Sequence, residues 1–182
     1  MDKKTFAIPL DVRAFAQSAG SRSAQDVLQK YERLMEESQG QGGDLPVNWS
    51  AQGEMRPVPG EASEIWLHLQ ADAHVPVTCQ RCLQPVDIAL VVDRAFRFVA
   101  DEETAALLDE ESEEEVLALD SEFDLAALIE DELLMEMPLV PRHDVCPTEV
   151  KLEVVDEGFE AALADKPKPF AALAKLKGGK PH

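Results

Sequence analysis

From Glu64 to Ala73, apolar and polar side chains alternate almost without a break. Ile65, Leu67, Leu69, Ala71 and Ala73 share one face of an extended chain. Glu64, His68, Gln70 and Asp72 share the other, with Trp66 the single apolar exception. A period of two marks a half-buried strand. Val86, Ile88, Leu90 and Val92 repeat the pattern further on. Two antiparallel strands are therefore predicted on either side of the turn at 79–84, which Pro76 and Pro85 bracket. The whole stretch from Pro46 to Val99 reads as strands, and Lys4 to Leu10 as a short edge strand ending near Pro9. Elsewhere the period is helical. Val27, Leu28, Tyr31, Leu34 and Met35 fall on one face of a helix predicted over roughly Ser23 to Ser38. Ser23-Ala24-Gln25-Asp26 resembles a capping box at its start, and Gly40, Gly42 and Gly43 stop it. A second helix is predicted over roughly Asp124 to Met137. Leu125, Leu128, Ile129 and Leu133 line its apolar face, Asp124 caps it, and Pro138 and Pro141 end it. The pattern predicts an α+β fold: a mainly antiparallel sheet, two principal helices and an acidic loop.

Charge supplies the loop. Asp101 to Glu132 holds 15 acidic residues and no basic one. Such a density resists packing, so about 101–120 is expected to be a solvated acidic loop. Over all 182 residues, 36 acidic side chains against 17 basic give a net charge of −19. Bulk attraction to phosphate backbones is excluded, because that needs clustered Lys and Arg; basic partners fit the field better. The length suits one domain, placed here at residues 1–164. A basic tail over 165–182 carries Lys166, Lys168, Lys175, Lys177 and Lys180, with a short amphipathic helix around Phe170 and Leu173. No apolar run approaches the ~18 residues of a membrane span, and the first residues lack a signal peptide's apolar core. An odd number of cysteines argues against a disulfide framework. The expectation is a cytoplasmic protein that binds neither membrane nor DNA.

The candidate chemistry sits in those cysteines. Cys79 and Cys82 form C-x2-C, and His143 and Cys146 form H-x2-C. Two close pairs of soft or borderline donors are what a closed tetrahedral zinc site needs. One structural zinc is thus a candidate cofactor. Two other readings stay open: thiols with no metal, and a redox dithiol at Cys79 and Cys82. The last suits a βαβ setting better than a turn between strands. His74, five residues before Cys79, could stand in for His143; His68 lies on a strand's polar face. No nucleophile elbow, phosphate loop or zinc-protease motif is present. The expectation is a protein that is not an enzyme. For RNA contact the candidates are Arg81, Arg94 and Arg97, near Phe96 and Phe98, together with Lys175 and Lys177 of the tail. The plainer reading puts Phe96 and Phe98 in the core, Arg97 on the solvated face and Arg94 at the strand edge.

Four stretches carry a family resemblance. They are Thr78-Cys79-Gln80-Arg81-Cys82-Leu83-Gln84-Pro85, the helix from Asp124 to Leu134, its exit Met137-Pro138-Leu139-Val140-Pro141-Arg142-His143-Asp144, and Lys168-Pro169-Phe170-Ala171-Ala172-Leu173. In order and spacing the chain resembles the YceD family, the large ribosomal RNA subunit accumulation proteins. The resemblance implies a ribosome biogenesis factor that supports synthesis, processing or stability of 23S rRNA. It carries over no catalytic residue. The implied partners are a large-subunit precursor, through 23S rRNA or a basic ribosomal protein. The rival is a zinc-binding or thiol-redox regulatory protein unrelated to rRNA.

Overall fold

The computed structural model describes residues 6–60, 62–109, 112, 114–149, 154, 156, 158 and 159. The chain divides into Met1–Thr148 and Glu149–His182. All the elements below belong to the first unit. The expected boundary near 165, and Lys175 and Lys177 beyond it, lie outside the described residues.

Five strands form one sheet in the order of the chain: β1 (Ser21–Val27), β2 (Pro46–Arg56), β3 (Glu64–Thr78), β4 (Pro85–Val99) and β5 (Glu115–Ala118). The first four pair antiparallel, and β5 joins β4 in parallel. The period-two segments dictate this. Across the register, Val47, Ala73 and Leu90 align, as do Trp49, Ala71 and Val92. All six are buried on one face. Helix α4 (Leu125–Met135) supplies Leu125, Leu128, Ile129 and Leu133 to the same core. Its cap is the predicted one: the Asp124 carboxylate accepts from the Ala126 N–H at 2.9 Å and from Ile8 N–H at 2.7 Å. The second bond ties the N-terminal segment down, where Pro9 makes only an isolated bridge to Asp124 rather than a strand.

The predicted helix over 23–38 is corrected. Residues 21–27 form edge strand β1, Leu28–Lys30 form a 3-10 turn, and only Glu32–Glu37 form helix α2. Leu28, Tyr31 and Leu34 are still buried; a 3-10 turn followed by a helix keeps their spacing. Asp26 explains the difference. Its carboxylate accepts from Trp49 Nε1 at 2.8 Å and pairs with Lys30, so it serves the sheet and not a helix cap. Burial would raise this carboxyl, but the bonds from Lys30 and Trp49 outweigh it and hold it below the ordinary value. After the cap Ser38 the chain leaves α2 through two left-handed residues, Gln39 at φ 54° and Gly40 at φ 78°, and the Gly40 N–H donates to Met35 O at 2.9 Å.

The acidic segment is corrected in the same way. Helix α3 (Glu102–Asp109) and β5 occupy much of 101–120. The acidic residues are placed where a helix accepts them. Glu102 and Glu103 lie in the first turn, facing the positive end of the helix dipole. The Asp101 carboxylate accepts from Thr104 N–H at 2.8 Å, a bond that lowers its pKa. Val116 of β5 is buried.

Helix α1 (Val12–Gln17) lies against β2 at Gly53. A Cβ there would come within 2.8 Å of the Ala16 backbone N and 2.9 Å of its Cα. Gly53→Ala must push α1 off the sheet. A loss of about 2 kcal/mol is expected in urea denaturation, against little change for Gly40→Asn. On the opposite face of the sheet, Trp66 is covered by the Arg56 guanidinium, 4.0 Å from its ring centroid, which accounts for the apolar exception.

Candidate metal centre

The β3–β4 turn is built to present thiolates. The Cys79 N–H donates to Gln84 O and the Leu83 N–H to Cys79 O, each at 2.9 Å. Leu83 takes φ 59°, a left-handed conformation that costs an L residue roughly 1 kcal/mol. This folds Arg81 and Cys82 back, so that their backbone N–H groups reach the Cys79 sulfur. Across from the turn runs the exit of α4. Pro138 and Pro141 stop the helix from continuing, and the Gln80 N–H donates to Pro141 O at 2.8 Å. That bond brings His143 and Cys146 to the turn.

One donor atom from each of Cys79, Cys82, His143 and Cys146 lies within 4.8 Å of the others. Tetrahedral zinc with ordinary Zn–S and Zn–N bonds requires S···S edges of about 3.8 Å and S···N edges of about 3.5 Å. The Cys82 Sγ to His143 Nδ1 distance is 3.4 Å. All three cysteines are free. Cys79 is buried, and the other three donors are half-buried. Burial pushes the Cys79 thiol up, but backbone N–H groups of Cys82, His143 and Arg81 and the His143 ring outweigh it and bring it to about 5. Cys146 moves the other way, raised by burial and by the neighbouring sulfurs. A cation placed among them favours all three thiolates at once. The donor set therefore fits a divalent soft-ligand metal. Four protein ligands close the tetrahedron and leave no position for water, so the site is suited to bracing. Its two arms also wall an open groove of about 650 Å³ that includes Thr78, Gln80, Pro138 and Pro141.

The other candidates lie elsewhere. His74 Nδ1 pairs with Asp87 at 2.7 Å, and His68 Nε2 with Asp93 at 2.7 Å; neither belongs to the cluster. Phe96 and Phe98 are core. Arg97 pairs with Glu64 at 2.8 Å. Arg94 is not at an edge. It aligns with Leu69 on the helix-covered face, 3.1 Å from Glu132, 3.4 Å from Glu136 and 3.9 Å from Glu115. Both arginines are thus held by carboxylates within the chain. Arg81 is exposed beside the cluster. No helix among the described residues is long and apolar enough to cross a membrane. Sequence reasoning singled out the four metal donors but passed over Arg142. Its position next to His143 was the only available signal.

Comparison with known proteins agrees with the motifs that surround this centre. A relative from Haemophilus influenzae, described as large ribosomal RNA subunit accumulation protein YceD, is 38% identical over 104 residues. The match covers 57% of this chain and 60% of the relative's length. No solved structure matches. The model of the family described as large ribosomal RNA subunit accumulation protein YceD matches residues 67–177, which include most of β3, all of β4 and α4, and all four donors of the cluster. The chain therefore belongs to the YceD family.

Proposed function

We propose that this protein supports accumulation of large-subunit ribosomal RNA by binding a precursor of the large subunit in the cytoplasm, without catalysing a reaction. The family match over residues 67–177 carries the reading. A role in bracing agrees with a donor set that closes the tetrahedron. The chain's net charge of −19 favours a basic ribosomal protein as one contact. RNA contact is confined to places where cations escape the acidic background. The rival thiol-redox role is disfavoured by the burial of Cys79, because a redox thiolate must be reached by its partner.

Association with large-subunit precursors should be followed in salt-titrated pull-downs, with and without RNase. The tagged protein is expected to recover 23S rRNA precursors at low salt and to lose them as salt rises. Recovery of no precursor at any salt would refute the reading.

A further inference from the structure

We propose that Arg81 and Arg142 form a phosphate-binding site for RNA, assembled by the clamp at the metal centre; the inference rests on the rRNA reading above. Two contacts bracket the pair. The Gln80 N–H bonds Pro141 O at 2.8 Å on one side, and Cys82 Sγ meets His143 Nδ1 at 3.4 Å on the other. Arg81 and Arg142 occupy the positions between, on opposing chain segments, and both are exposed.

Their charge is not neutralised within the chain. Lys30, Arg33, Arg56, Arg94 and Arg97 all have carboxylate partners. Arg81 and Arg142 have none among the described residues. Even Asp144, two positions from Arg142, forms no ion pair with either. Arg13 and Arg22, on α1 and β1, are the other two without one, and no such pair of contacts brackets them. In a chain with twice as many acidic as basic residues, adjacent unpaired arginines are a conspicuous arrangement. The centre does not absorb them. Three thiolates around a divalent ion leave one negative charge, and two guanidiniums exceed it.

Two guanidiniums carried by facing segments, held together by these two contacts, suit phosphodiester oxygens, which each can grip through two N–H groups. Leu83 and Val145, two and three positions further along the same segments, are 72% and 84% exposed. Apolar side chains there can pack against unstacked bases, which favours single-stranded RNA segments over duplex. The site would also explain how a protein of this charge contacts RNA at all: through one local cationic point and not through its general field.

The test uses the full-length protein, with a labelled oligouridine and a 23S rRNA transcript as probes. Three double variants are compared: Arg81→Gln/Arg142→Gln, Arg81→Lys/Arg142→Lys and the control Arg13→Gln/Arg22→Gln. The glutamine pair at the clamp should weaken binding by about 10-fold or more and lower the slope of log K against log salt by about 1.4, roughly 0.7 for each lost contact to a single strand. The lysine pair should keep the slope and metal content, and lose several-fold in affinity. The control should stay within about 3-fold. Equal losses in clamp and control variants would overturn the site, as would wild-type affinity in the clamp variants. A wild type that binds neither probe yet still recovers large-subunit ribosomal proteins after RNase would overturn the arginine site and leave the rRNA role to a protein contact. Failure to recover precursors at all would overturn both.

Discussion

Cys79→Ser is expected to abolish metal binding and to cost about 3 kcal/mol of stability, which for a chain of this size lowers Tm by roughly 6–12 °C. The figure is well below a zinc finger's full binding energy, because the sheet core does not need the metal to form. Leu67, Leu69, Leu90, Phe96, Ile129 and Leu133 belong to a large core cluster to which the centre contributes Cys79, with Cys82 and Cys146 packed against it. What a metal would hold is the exit of α4. Among the described residues, the Gln80 N–H to Pro141 O bond is the one backbone–backbone hydrogen bond between the arms. Without the metal, that amide should lose most of its hydrogen-exchange protection, and residues 138–146 should become open to proteases. Amides in the middle of β3 and β4 should stay protected. Cys146→Ser should have nearly the same effect, and the double variant should be no worse than either single one, because both remove the same ion. Additive losses would mean that the cysteines act as independent core residues.

The second large effect is expected at Arg94. Its partner Glu132, on the buried side of α4, is 1% exposed. Burial raises the Glu132 carboxyl, Arg94 opposes the rise, and Glu115, Asp131 and Glu136 add to it. The Arg94 contact at 3.1 Å is an ion pair only; that carboxylate oxygen accepts no hydrogen bond. Arg94→Ala leaves a carboxylate in the core with three acidic neighbours. The expected cost is about 3 kcal/mol at neutral pH by chemical denaturation. Its pH dependence has a definite sign. A carboxyl whose folded-state pKa is raised binds its proton more tightly folded than unfolded. Stability is therefore regained as pH falls through the folded value. The deficit of Arg94→Ala should narrow as pH falls and widen as pH rises. The pair Arg94→Met/Glu132→Leu should recover to within about 1 kcal/mol of the native protein, since it removes both charges. Arg97→Ala, whose partner Glu64 is partly exposed, should cost well under 1 kcal/mol. The contrast separates an arginine that holds the fold from one that ornaments it.

These cases show what was legible in the sequence. The period-two runs in β3 and β4 declared themselves because one face is buried along their whole length. Helix α4 did so through Asp124 and its leucines. Edge strand β1 carried no such pattern: Ser21 to Gln25 are all exposed, as polar edge strands are, and the apolar spacing after it imitated a longer helix. Helix α1 is only six residues long, too short to establish a period. The acidic run gave the wrong local answer because charge density says nothing about which end of a helix the charges occupy. At the metal centre, spacing revealed the donors directly, since ligands come in close pairs. Arg142 could not be found that way. Its neighbour Arg81 is 61 positions earlier, and only the fold brings the two together. The converse held for Arg94, whose basic side chain looked available until Glu132 was seen beneath it.

The centre is the part on which the most depends, and metal stoichiometry tests it directly. Elemental analysis of the full-length protein, purified without chelator, should give one zinc per chain and none in Cys79→Ser. Thiol titration should find all three cysteines protected until the metal is removed. A wild-type protein with no bound metal, three freely reactive thiols and a reversible Cys79–Cys82 disulfide would contradict the account.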